Sequence, residues 1–326
     1  MSDDKIEVLM LGPMMQLIAE TLEPQFLVHR WWEAPDRDAL VATLAPRLRA
    51  MTAIHAGHPY VDGPFMAKFP KLEIIASFGV GYDHVDAVWA GRHGIVVTNT
   101  PDVLTEEVAD TALGLLIATV RELPQAERHL RGGKWLEAHY RLSPATLRDR
   151  TVGMVGLGRI GKAVARRLDA FAVPVVYFAR HPQPGVPYRH YASLIEMARA
   201  VDVLMLVIPG GPDTNALINA SVLDALGPNG ILINMARGSV VDEPALIAAL
   251  REGRIAGAGL DVYADEPRVP PELLAMERVV LLPHVGSASV YTRNAMGRLV
   301  VDNLIAWAAG GAPLTPVPQT PWPPRR

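Results

Sequence analysis

The chain has 326 residues, half of them hydrophobic, with 31 basic against 34 acidic side chains and a formal charge of −3. That length predicts two domains, and the near-balanced charge, with no Lys/Arg stripe to track a phosphate backbone, argues against nucleic acid as a partner. There is no cysteine, which removes disulfides and thiolate metal sites, and no apolar run reaches the roughly 18 residues of a membrane span. The opening MSDDKIEVLM is acidic where a signal peptide is basic and then apolar, so no membrane association and a cytoplasmic location are expected.

Along the chain, short apolar runs alternate with amphipathic stretches, the pattern of parallel βαβ units. The first hundred residues predict strands at IEVLML (6–11), FLVHRW (26–31), MTAIHA (51–56), LEIIAS (72–77) and IVVTNT (95–100), with helices between them. A long helix is predicted over 102–123; it is too apolar for a single exposed face and suits a connection between two domains. A polar, aromatic-bearing loop follows over 131–150.

The pattern restarts at 151. TVGMVG reads as a strand and GRIGKAVARRLDAF as a helix, followed by strands at 173–180, 201–209, 230–237, 255–263 and 278–284. Helices are predicted near 193–199 and 216–226 and over 243–253. Six strands with intervening helices fit one doubly wound sheet. The segment 289–310 has helical apolar spacing and is expected to return to the first domain. The tail TPVPQTPWPPRR is proline-rich and expected to be extended.

Two features carry chemistry. In GLGRIG, Gly156, Gly158 and Gly161 fill G-x-G-x-x-G around Leu157, Arg159 and Ile160. The motif follows a strand and opens a helix bearing Ile160, Val164 and Leu168, the context that makes it a dinucleotide site. Secondly, Arg180, Arg237, Asp261, Glu266 and His284 all fall at or just after strand ends, where open α/β sheets bind ligands. Taken singly, an Arg there reads as a solvated cap, a Glu before Pro as a turn residue and a His as a satisfied surface group. Their shared edge beside a dinucleotide points to hydride chemistry coupled to proton transfer.

The set GLGRIG, NMARGSVVDEPAL, GAGLDVYADEP and LLPHVGSAS resembles the D-isomer-specific 2-hydroxyacid dehydrogenases, and FGVGYDHVD (78–86) with TNTPDVLTEEVAD (98–110) extends the resemblance over nearly the whole chain. Within the family the likeness is greatest to glyoxylate/hydroxypyruvate reductases and plant hydroxyphenylpyruvate reductases. The resemblance implies an α/β protein of two Rossmann-like, doubly wound parallel-sheet domains with the active site in the cleft between them. The discontinuous substrate-binding domain would comprise 1–100 plus 288–326, the dinucleotide-binding domain 101–287, and two copies would form a homodimer through the latter.

Position by position, the resemblance makes His284 the proton donor, Glu266 its carboxylate partner and Arg237 the residue that binds the substrate carboxylate and polarises the carbonyl. A carboxylate beside the imidazole favours its charged form, which a proton donor needs. The backbone N–H groups of Val80 and Gly81 are expected to hold the substrate's other end, and Pro283 with Gly286, Ser287 and Ala288 to leave His284 open toward it. Expected cofactor contacts are Gly156, Leu157, Gly158, Arg159, Ile160, Gly161, Arg180, Ile208, Pro209, Thr214, Met235, Asp261 and Gly286.

Cofactor choice is read from the second strand of the restarted pattern. NAD-preferring sites carry an acid about 20 residues after the glycine motif, whereas this chain has Arg180, followed by His181 and Pro182. Arg180 suits a 2′-phosphate, with Arg159 adding charge, so NADP(H) is expected in preference to NAD(H). The sequence departs from the family in carrying Gly210 and Gly211 where many members have Leu-Thr, near the adenine side. Glu266 argues against the formate-oxidising branch, which has Gln there, and no C-terminal regulatory domain of the serine-pathway type follows.

Lesser candidates are His55 and His58, spaced for zinc but without a carboxylate cluster, so no metal is expected. Trp31 and Trp32 read as packing. Trp135 is a candidate to enter the partner subunit's active site. The expected activity is reduction of a small 2-oxo acid of the glyoxylate/hydroxypyruvate type to a D-2-hydroxy acid. The alternatives are reduction of (hydroxyphenyl)pyruvate or 2-ketogluconate and, from a different class, a non-catalytic NAD(H)-sensing corepressor or scaffold.

Overall fold

The computed structural model describes residues 5–55 and 60–324. They divide into two compact units, Met1–Leu104 with Ala288–Arg326, and Thr105–Ser287. Residues 101–104, expected with the second domain, group with the first: Asp102 turns the chain with φ 68° before the helix begins at Thr105.

In the first unit, β1 (Glu7–Met10), β2 (Leu27–Arg30), β3 (Ala50–Ile54), β4 (Ile74–Phe78) and β5 (Val96–Thr98) form a parallel sheet of order β2-β1-β3-β4-β5. The order is that of one of the two common doubly wound folds. The central strands are buried on both faces, as β3 AMTAI and β4 IIASF require. The helix Val290–Ala308 lies against β4 and the helix Gln16–Leu22. Trp31 is buried edge-on against Phe65 at 5.8 Å, a packing role.

The second unit contains β6 (Val152–Val155), β7 (Val175–Phe178), β8 (Arg189–Tyr191), β9 (Val203–Leu206), β10 (Ile231–Asn234), β11 (Gly257–Leu260) and β12 (Val279–Leu281). These are all parallel, in the order β12-β11-β10-β9-β6-β7-β8. The chain reverses its direction of winding at β6, which pairs with β7 on one side and β9 on the other. Ligands bind at the carboxyl ends of strands at such a switch point. The edge strand β8 is an addition to the six predicted; its RHY is polar and too short to give an apolar run.

The long helix ends earlier than predicted, at Arg121. Glu122 adopts φ 54° and a second helix, Leu123–Arg131, starts with Pro124 in its first turn. A proline ring continued within the first helix would clash with the carbonyl four residues back, so the chain breaks and restarts. No described helix is long and apolar enough to cross a membrane.

Candidate active site

The turn after β6 separates the roles of its three glycines. Gly156 has φ +97°, and a Cβ there would stand 2.3 Å from Ile208 Cγ2 and 3.0 Å from the Val207 carbonyl oxygen. A Cβ at Gly161 would stand 2.6 Å from the Gly156 carbonyl oxygen, so the helix Arg159–Ala170 lies directly on the turn. At Gly158 a Cβ would meet nothing within 4 Å. Two glycines therefore satisfy the protein itself, and the third borders open space at a helix N-terminus, as close approach of a pyrophosphate requires. Leu157 is buried beneath the turn, Ile160 half-buried and Arg159 exposed. These residues fit a dinucleotide.

Around this turn, Ile208 and Pro209 follow β9. The loop beyond them is closed by the Thr214 hydroxyl, which donates to the carbonyls of Pro209 (2.9 Å) and Gly211 (3.2 Å). Gly211 sits at φ +142°, a conformation that the Leu-Thr pair common in the family does not favour. Arg180 lies two residues beyond β7, strongly exposed, with Nη1 3.9 Å from Asp213 of the same loop. No acid occupies the end of β7, but one stands within reach of its arginine.

At the neighbouring strand ends lie Arg237, Glu266 and His284. His284 Nδ1 is 2.7 Å from Glu266 Oε2, and the other oxygen of Glu266 accepts the Tyr263 N–H at 3.1 Å. The Glu266 side chain is only 9% exposed and that of His284 35%, so the carboxylate is buried behind a ring that reaches solvent. The Tyr263 hydroxyl donates to the carbonyl of Leu282 at 2.9 Å, bracing the strand that delivers His284, and burial pushes this phenol up from its ordinary range. Arg237 is half-buried after β10; its Nη1 donates to the Ala236 carbonyl at 2.8 Å. Asn234 shapes that turn by donating to the Arg237 carbonyl (3.0 Å) and accepting the Ala236 N–H (3.0 Å).

Asp261, 2% exposed, accepts the N–H groups of Val285 (2.7 Å) and Gly286 (2.8 Å), while its own carbonyl accepts the His284 N–H at 2.9 Å. Burial holds the Asp261 carboxyl above the usual carboxylate range, against the pull of those two amide bonds. These contacts tie down the segment carrying His284, which itself sits at φ 54°. A Cβ at Gly286 would stand 3.0 Å from Asp261 Oδ2 and 3.0 Å from Met235 Cε. The glycine is small for this packing rather than to clear space around the imidazole.

In the first unit, Val80 and Gly81 lie in the half-exposed turn after β4. His55 follows β3; its ring is 5.6 Å from that of His84 and 3.8 Å from Asp83, and His58 lies outside the described residues. In the second unit Trp135 is 62% exposed on a single 3-10 turn, Lys134–Leu136, within the region predicted as a loop. Sequence reading missed Asn234, Tyr263 and the anchoring contacts of Asp261. The first two stood inside motifs already singled out, but their partners are backbone groups, which no residue pattern marks.

A doubly wound sheet with a dinucleotide turn at its switch point and an Arg, Glu and His on its carboxyl edge defines a nicotinamide-dependent dehydrogenase class. Residues 113–286 match the family model described as D-isomer specific 2-hydroxyacid dehydrogenase, NAD binding domain. The chain is 44% identical to glyoxylate/hydroxypyruvate reductase A of Arabidopsis thaliana over 315 residues, 96% of this chain and 99% of that protein. It is 45% identical to hydroxyphenylpyruvate reductase of Plectranthus scutellarioides, with the same coverage. The crystal structure of an NADPH-dependent glyoxylate/hydroxypyruvate reductase from Sinorhizobium meliloti, in complex with NADP and malonate, superposes with a TM-score of 0.93 at 51% identity, covering 99% of each chain. The chain belongs to the D-isomer-specific 2-hydroxyacid dehydrogenases and is an oxidoreductase.

Proposed function

We propose that the protein reduces small 2-oxo acids of the glyoxylate/hydroxypyruvate type to D-2-hydroxy acids, using NADPH in preference to NADH. The observation that carries this reading is the 2.7 Å contact between His284 Nδ1 and the buried Glu266 carboxylate. It fixes the imidazole with Nδ1 toward the carboxylate, and Nε2 is the nitrogen we assign to the substrate. A reduced nicotinamide dinucleotide, bound at the Gly156–Gly161 turn, supplies the hydride. His284 donates the proton from Nε2 to the carbonyl oxygen as negative charge builds there. Arg237 binds the substrate carboxylate through its planar fork and polarises the carbonyl. The amides of Val80 and Gly81 hold the substrate's other end. Glu266 stabilises the imidazolium and fixes its orientation.

The NADPH preference is supported by the exposed Arg180 in place of an acid after β7, by Arg159 at the helix N-terminus, and by the NADPH-dependent S. meliloti relative. Pairing of two copies through the second unit is supported by its exposed Leu130, Trp135, Leu136 and Leu142. Trp135 is the residue we assign to the partner subunit's active site, and the proposed location is the cytoplasm.

The test is a panel of glyoxylate, hydroxypyruvate, phenylpyruvate and 2-ketogluconate with each cofactor, repeated for Arg180→Ala. The wild-type protein should turn over glyoxylate and hydroxypyruvate fastest with NADPH, and the variant should lose affinity for NADPH much more than for NADH. Equal or better kcat/KM with NADH in the wild type would overturn the cofactor assignment. No turnover of any of the four acids would favour a non-catalytic sensor.

A further inference from the structure

The turn that carries Val80 and Gly81 is held by residues far away in the chain. Asn99 Nδ2 donates to the Val80 carbonyl at 2.8 Å, and the Thr100 N–H to the Gly79 carbonyl at 2.9 Å. Asn99 is in turn gripped by Thr315, whose hydroxyl donates to the Asn99 carbonyl at 2.6 Å. Thr315 is fixed from behind by Asn303, fully buried in the helix Val290–Ala308: Asn303 Nδ2 donates to the Thr315 hydroxyl (2.9 Å) and Oδ1 accepts the Thr315 N–H (3.0 Å). The side-chain amide of Asn303 also donates to the Leu299 carbonyl at 2.7 Å, so its orientation is determined.

Beyond Thr315 the chain continues along β5. Pro316 bridges Thr98 in antiparallel fashion, the Val317 N–H donates to the Val97 carbonyl (2.9 Å), and the buried Thr320 hydroxyl accepts the Val97 N–H (2.9 Å). Gln319 then reaches back to the far side of the same turn, accepting the Tyr82 hydroxyl at 2.9 Å. The turn is thus held at Val80 by Asn99, which Thr315 grips in turn, and at Tyr82 directly by Gln319, so one segment more than 200 residues later in sequence supports both flanks, the first through Asn99.

We propose that residues 315–320 form a strap that sets the position of the 79–83 turn, with Asn99 and Thr315 as positioning residues for the substrate. This rests on the reading that the Val80 and Gly81 amides hold the substrate. A carbonyl fixed by Asn99 orients the peptide plane it shares with the Gly81 N–H, because the peptide unit is planar. Losing the Asn99 bond frees that plane to rotate and misdirects the N–H. The contact is with bound substrate in ground state and transition state alike, so the loss falls on KM rather than kcat.

The experiment uses the full chain with glyoxylate and NADPH. Asn99→Ala and Thr315→Val should each raise the glyoxylate KM about tenfold with kcat within twofold, a size set by one hydrogen bond's worth of binding energy. NADPH affinity, read separately by fluorescence titration without oxo acid, should stay at the wild-type value. Thr315→Ser, which keeps the hydroxyl, should retain the wild-type KM. Gly81→Pro, which deletes one amide donor, separates the strap from the reading beneath it. If Gly81→Pro raises KM while Asn99→Ala and Thr315→Val leave it unchanged, the strap is refuted and the turn's substrate role stands. An unchanged KM in a folded Gly81→Pro protein removes that role and the strap proposal with it. Parallel losses of glyoxylate and NADPH affinity with a lowered Tm would reduce the strap to a general stabilising contact, which also overturns the proposal.

Discussion

Each unit of this chain presents a glycine-bearing turn after a central parallel strand, and the two turns obtain their shape in opposite ways. The Gly156–Gly161 turn is determined by steric demands within a few dozen residues: a positive φ at Gly156, contact with Ile208, and a helix resting on its own carbonyl. The 79–83 turn is held by hydrogen bonds to Asn99, itself gripped by Thr315, and to Gln319. The first kind of turn leaves its signature in residue identity, since only glycine satisfies it. The second kind leaves almost none, because many side chains with one amide or hydroxyl do the same work.

Substitutions can widen or erase this contrast. The largest expected effect is His284→Ala, which removes the proton donor: turnover should fall by roughly 10²–10⁴-fold, the usual contribution of general acid catalysis, with NADPH binding intact. Near-wild-type steady-state rates in the folded variant would sink the assignment of the donor. Next come the glycines. Gly156→Ala places a Cβ against Ile208 and the Val207 carbonyl at φ +97°, and should cost on the order of 1–3 kcal/mol of stability. Gly158→Ala enters open space at φ −74° and should leave Tm close to wild type while weakening NADP binding at least tenfold. If both variants lose stability equally, the separation between a glycine the fold needs and a glycine the ligand needs is wrong.

A smaller effect is expected at Glu266. Glu266→Ala removes the acceptor that holds His284 Nδ1 at 2.7 Å, so the ring loses its fixed orientation. Turnover should fall about tenfold, the loss of one hydrogen bond's worth of positioning, with NADPH affinity unchanged, and Glu266→Gln, which still offers an oxygen to Nδ1, should lose less. An unchanged kcat in the folded Glu266→Ala protein would show that the ring keeps its orientation without the carboxylate.

The sheet strands were legible because a parallel strand covered on both faces is predominantly apolar, as at β3, β4, β9 and β10. The edge strand β8 was not, because Arg189, His190 and Tyr191 are solvent-facing or half-buried and carry no such constraint. The helix Leu123–Arg131 was missed for a related reason: LPQAERHLR is mostly polar, with only Gln125 buried, so its core-facing pattern is faint. In the candidate site, Arg237, Glu266 and His284 were legible as charged groups ending apolar strands. Tyr263 and Asn234 act on backbone atoms of Leu282 and Arg237, and Asp261 on the amides after His284, partners that only the folded chain identifies.

The interrupted first unit also fixes an order of events during synthesis. Its sheet is encoded by the first hundred residues, yet the helix that lies on β4 and the segment that pairs with β5 are translated only after the entire second unit. Domains emerging from a ribosome tend to fold as they appear, but here the portion made first is the portion completed last. Until residues 290–320 are made, β4 lacks its covering helix and β5 its partner segment. An uncovered strand and an open edge are the surfaces most prone to mispairing, and here both belong to the part of the unit that precedes the second unit in the chain.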